Sequence, residues 1–133
     1  FGIMDMFYLE DVNRKGLLYA NPDKTVGHAK QAYFALQHLA AVFDDRLERI
    51  RHFSYEIKGD VPLAVFGYEN RHSENQVVTL WFHDRIPAKS NRKTPVDITI
   101  HRGEFREPVY VDLRTGEVFL IPASNWSRNG SRY

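Results

Sequence analysis

At Arg51 the spacing of apolar residues changes, and this change constrains the fold more than any other feature of the chain. Before it, Ala29, Tyr33, Leu36, Leu39 or Ala40, and Phe43 recur at a helical period of about 3.6 residues, with Lys30, Gln37 and Asp44 on the other side. After it, Phe53, Tyr55 and Ile57 alternate with Ser54, Glu56 and Lys58, the two-residue period of a half-buried strand. One helix followed by a run of strands points to an α+β chain rather than an alternating α/β one.

Thr25 has the chemistry of a helix N-cap and predicts a helix starting near Val26 that runs for about five turns. Five alanines (Ala29, Ala32, Ala35, Ala40, Ala41) suit close packing of this helix on a sheet. The charged stretch "DDRLERIR" (44–51) continues the helix or ends it. Upstream, "FGIMDMFY" (1–8) is apolar apart from Asp5 and reads as a strand buried on both faces. Ten or more polar and turn residues separate it from the helix.

Beyond Arg51, Gly59-Asp60 marks a turn, and "LAVFGYEN" (63–70) and "NQVVTLWFHD" (75–84) read as strands joined by "RHSE". The second is apolar on both faces, with Val77 and Trp81 on one and Val78, Leu80 and Phe82 on the other, and so is expected at the centre of its sheet. "RIPAKSNRKTP" (85–95) is a loop and "VDITIHR" (96–102) alternates again. In "PVYVDLRTGEVFLIP" (108–122), Gly116 suits the left-handed position of a three-residue hairpin loop. The tail "ASNWSRNGSRY" is polar. The expected organisation is a strand–loop–helix unit over 1–50, then about six antiparallel strands over 51–133 forming a β-sandwich or a large antiparallel sheet. The first part has no second neighbour for its strand. That strand joins the β domain's sheet or pairs with strands upstream.

The chain has 133 residues, enough for one domain with one core. A net charge of +1 gives no electrostatic footprint for nucleic acid or an anionic membrane surface. No apolar run approaches the roughly 18 residues of a membrane span. With no cysteine, disulfides and thiolate metal sites are excluded. The opening "FGIMDMFYLED" lacks an initiator Met and starts inside an apolar run, which reads as the interior of a longer protein or a processed form.

The succession of an apolar strand ending in Glu10-Asp11, then "RKGLL", then the helix phrase "KQAYFALQHL" (30–39), then a β region closing with "DLRTGEVFLIP" (112–122) resembles the C-terminal part of (β/α)8-barrel glycoside hydrolases that carry a β-sandwich after the barrel. The resemblance implies that residues 1–50 are the last barrel βα unit, packed on an upstream barrel domain that holds the carbohydrate substrate. It implies that the acid/base and nucleophile carboxylates follow the fourth and seventh barrel strands, outside this chain. The pair that glycoside hydrolysis requires, about 5 to 10 Å apart, is then missing and the chain alone is inactive. It also implies a secreted or periplasmic setting and no cofactor.

In that frame Glu10, Asp11, Asn13, Arg14 and Lys15 fall at the C-terminal end of a barrel strand, where barrel active sites lie, and form a candidate rim of the substrate cleft. Glu10 and Asp11 are adjacent and point oppositely on an extended chain, so they are a poor catalytic dyad. A structural reading stands beside the functional one: ion pairs from the acids to Arg14 or Lys15, and loop capping.

The six histidines make no metal-ligand spacing, and whether His83-Asp84 and His101 meet across strands is not legible in the sequence. No serine sits in a nucleophile elbow. Trp81, Tyr55, Tyr68 and Tyr110 read as core or inter-sheet residues, Trp126 as an exposed tail residue. Asn125-Trp126-Ser127 and Asn129-Gly130-Ser131 match the N-glycosylation pattern. Two functions are carried forward: an accessory segment of a glycoside hydrolase, and a self-contained α+β module that binds carbohydrate or protein.

Overall fold

The computed structural model describes residues 16–73, 75–84, 93–101, 103 and 105–128. The expected strand over residues 1–8 and most of the 85–95 loop lie outside that set. In chain order the elements are β1 (Leu18–Ala20), β2 (Val26–Ala29), α1 (Gln31–Val42), β3 (Leu47–Arg49), β4 (Tyr55–Ile57), β5 (Leu63–Asn70), β6 (Gln76–Phe82), β7 (Ile98–Ile100), β8 (Val109–Val111) and β9 (Val118–Leu120), then a 3-10 turn at Ala123–Asn125. The fold is α+β, and every strand pair among the described residues is antiparallel. The pairs form one three-stranded and three two-stranded sheets. The chain divides into two units, one reaching to Asp44 and including Pro108–Pro122, the other taking Asp45–Glu107 and the residues from Ala123 onward.

In the first unit the predicted helix start is corrected. Val26–Ala29 is a strand paired with Leu18–Ala20, and the helix begins at Gln31 and runs 12 residues, about three turns rather than five. The reason is local competition for Thr25. Its hydroxyl donates to Asp23 Oδ1 at 2.6 Å, its backbone N–H donates to the same oxygen at 3.0 Å, and Asn21 Nδ2 donates to its hydroxyl at 3.0 Å. A threonine so engaged closes a turn and caps nothing. Lys24 takes the left-handed conformation (φ 67°), Asn21 and Thr25 are joined backbone to backbone, and the chain reverses. The segment Leu18–Ala20, expected within a long loop, is the other arm of this hairpin. Its end is tied to the helix entrance where Lys30 N donates to the Leu17 carbonyl at 2.9 Å. Lys30 occupies the N-cap position without a side-chain cap.

The hairpin expected over 109–121 is present. β8 pairs with β9 (Val109↔Leu120, Tyr110↔Phe119, Val111↔Val118), and Gly116 sits in the left-handed region at φ 77°. It groups with α1: His38 Nδ1 lies 2.8 Å from the Leu113 carbonyl oxygen, which can only accept, so Nδ1 carries the proton. With its amide oxygen turned toward the guanidinium, Gln31 accepts from Arg114 Nη2 at 3.0 Å and Nε at 3.2 Å. A Cβ at position 116 would lie 2.5 Å from His38 Nε2, a second reason for glycine there.

In the second unit the helix does not continue through 44–51, because Leu47–Arg49 pairs with β5. β5 is the central strand, flanked by β3 and β6, so the expected central position of 75–84 is corrected: among the described residues β6 is an edge of the three-stranded sheet. Apolarity on both faces misled here, since Leu80 and Trp81 are 48% and 49% exposed. The core of this unit lies under one face of β5, where Leu63, Val65 and Gly67 are buried. Phe53 covers Gly67 so closely that a Cβ there would overlap its ring. β4 and β7 form a separate pair, joined by Lys58–Asp97 at 3.6 Å and by His101 Nε2 to Glu56 at 3.3 Å.

Candidate functional site

The face of the three-stranded sheet opposite the core is built by alternation along its strands. It carries Leu47 and Arg49 from β3, Ala64, Phe66, Tyr68 and Asn70 from β5, and Val77, Thr79 and Trp81 from β6. Leu63, Val65 and Gly67 point the other way and are covered. The odd and even positions of β5 thus have different fates, with Ala64, Phe66 and Tyr68 only half-buried.

Three side chains make a diagonal row across this face. The Arg49 guanidinium carbon stands 4.5 Å from the centroid of the Phe66 ring. Phe66 stacks on Trp81 with centroids 5.3 Å apart and planes 26° from parallel. Thr79, directly opposite Phe66 in the register, sets its hydroxyl 3.5 Å from the Phe66 carbonyl. Each contact is modest, roughly 0.5–1.5 kcal/mol for the aromatic pair and 0.5–1 for an exposed cation–π contact. Full burial of an aromatic side chain is worth about 1.5–3 kcal/mol, much of which Trp81 forgoes by standing half in water. The row is held together by these contacts, while Trp81 as a residue remains 49% exposed.

The electrostatics of the face are simple. Arg49 is the one charged side chain that β3, β5 and β6 place on this face, and the ion pairs seen among the described residues do not involve it. Glu48 and Glu69 alternate onto the opposite face, where Glu48 is held by Arg71 Nη2 at 2.7 Å. Such a surface combines one half-exposed indole with a guanidinium, groups that suit a ligand with an apolar ring face and polar edges.

Of the residues the sequence singled out, Glu10, Asp11, Asn13, Arg14 and Lys15 lie outside the described residues. Trp81, expected in a core, is half-exposed in the row, and Trp126 in the polar tail is of intermediate exposure. Tyr110, also expected inside, is exposed on β8 and stacks with Phe119 at 6.2 Å. His28 stacks on Tyr19 at 4.8 Å. Among the described residues no three His, Asp or Glu side chains gather as metal ligands would, and no helix is long and apolar enough to cross a membrane. Sequence reasoning missed Arg49 and Phe66. The signal that pointed to them is Gly67: a glycine inside a strand marks close approach on its own face, and alternation then leaves Phe66 and Tyr68 on the uncovered one. No family model matches the chain, and no curated protein and no solved structure matches it.

Proposed function

We propose that the chain is a C-terminal accessory segment of a glycoside hydrolase, and that its own contribution is to hold saccharide on the open face of the β3–β5–β6 sheet. The carrying observation is the Phe66–Trp81 stack, with Trp81 49% exposed on an edge strand. The C–H-rich face of a pyranose ring stacks on an indole, while its rim of hydroxyls needs donors and acceptors at the side. Arg49 and Thr79 stand beside the rings to supply them. The hydrolytic step belongs to a carboxylate pair supplied by the parent enzyme. The self-contained module, the other function considered, uses the same face if its ligand is carbohydrate.

The test is a titration of a Trp126→Phe variant, in which Trp81 is the sole indole, with a panel of neutral and acidic oligosaccharides. The expected result is a saturable change in tryptophan emission. A Trp81→Ala variant, with secondary structure intact by circular dichroism, is expected to lose binding measured calorimetrically. A panel in which no saccharide changes the emission contradicts the proposal.

A further inference from the structure

We infer that this face selects an anionic saccharide, a chain containing a uronic acid, with Trp81 beneath one sugar ring and the Arg49 guanidinium on the carboxylate of a neighbouring one. The inference rests on the saccharide reading above and adds the charge of the ligand.

Three observations lead to it. First, Arg49 touches the row through its charge over the Phe66 ring, while the ion pairs seen among the described residues do not involve its N–H fork. A planar fork of this kind pairs with a carboxylate through two parallel hydrogen bonds, which a lysine cannot match. Second, the sign of the face is unopposed. The acidic side chains of these strands, Glu48 and Glu69, are on the other side, and Glu48 is already paired with Arg71. Among the residues of these three strands, none on the Arg49 side is acidic. Third, the spacing fits. The guanidinium carbon lies 4.5 Å from the Phe66 centroid and that centroid 5.3 Å from that of Trp81, so the row of side-chain groups is at most about 10 Å long, a span that a disaccharide covers. A uronic acid carries its carboxylate directly on the ring. One unit stacked on an aromatic and the next presenting its acid to Arg49 therefore satisfies both ends of the row at once. An acidic peptide would satisfy the guanidinium alone and leave the Trp81 ring face without a flat partner.

The experiment uses the full chain and measures dissociation constants for a galacturonic acid trisaccharide, its neutral galactose counterpart and polyglutamate. The expected result is that the uronate binds roughly tenfold tighter than the neutral sugar, the scale of a charge-assisted hydrogen-bond pair. Added salt should erode only that advantage. Arg49→Gln is expected to remove the preference while leaving neutral binding in place. Arg49→Lys, which keeps a cation over Phe66 and so guards against misfolding as an explanation, should recover only part of it. Equal affinity for charged and neutral sugar overturns the inference and leaves the saccharide reading standing. Polyglutamate binding as tightly as the uronate also overturns it, because charge alone is then being read. Failure of every saccharide to bind overturns both.

Discussion

Gly67 is the residue on which the open face depends most directly, although it is not part of it. The Phe53 ring occupies the space a side chain at position 67 would need, and this contact seals one side of β5. Gly67→Ala is therefore expected to destabilise the chain by about 1–3 kcal/mol, the usual cost of overpacking a filled site, read as a lower midpoint in urea. An unchanged midpoint would mean that Phe53 moves aside freely. Asp23 makes a second prediction at this scale. The Thr25 hydroxyl, and after it the Thr25 backbone N–H, donates to its carboxylate and holds its pKa below the ordinary value. A depressed folded pKa means that the contribution is present above the unfolded value and is lost as pH falls through the folded one. The turn between β1 and β2 is expected to loosen only in acid, and the Asp23 carboxyl carbon to titrate by NMR below an unstructured aspartate. A midpoint at the ordinary value would contradict the turn geometry. Reading Thr25 as a helix cap failed because the sequence shows a capping residue type but not which backbone groups reach it first. Gly116 was legible because a three-residue hairpin loop is decided by the residues within it.

At the scale of elements, α1 and the β8–β9 hairpin meet through His38 and Leu113, residues 75 positions apart. The helix periodicity and the hairpin pattern were each readable, whereas their association depends on a side chain finding a distant carbonyl. His38→Ala is expected to cost about 1 kcal/mol, the net worth of one such hydrogen bond. It should speed amide exchange in the 112–117 loop ahead of the rest of the chain. Uniform change across all amides would argue against a local tie. The central and edge strands of the three-stranded sheet were misassigned for a related reason. Apolar residues on both faces of β6 report composition, not how many neighbours a strand has, and its sheet's third member is Leu47–Arg49 within a charged stretch. Arg49, Phe66 and Trp81 belong to three separate strands, so the row they make exists only after pairing, and the sequence holds just the trace of it in Gly67.

In the whole molecule, binding and bond cleavage are separate tasks. The chain alone is expected to show no turnover of chromogenic glycosides at any pH between 4 and 9, a range spanning the usual acid/base carboxylates of such enzymes; clear turnover would place a carboxylate pair within this chain. The α+β class and antiparallel pairing were readable because the period change at Arg51 is a global signal. The site was not, since Trp81 looks the same in a sequence whether it is covered or open. The central claim is that the open sheet face holds saccharide, and the most direct measurement is a map of backbone amide shifts by 15N–1H NMR as an oligosaccharide is added. Shifts are expected to cluster at Arg49, Phe66, Thr79 and Trp81 and to spare Leu63, Val65 and the β8–β9 hairpin. Shifts that gather elsewhere, or none at saturating sugar, would contradict it.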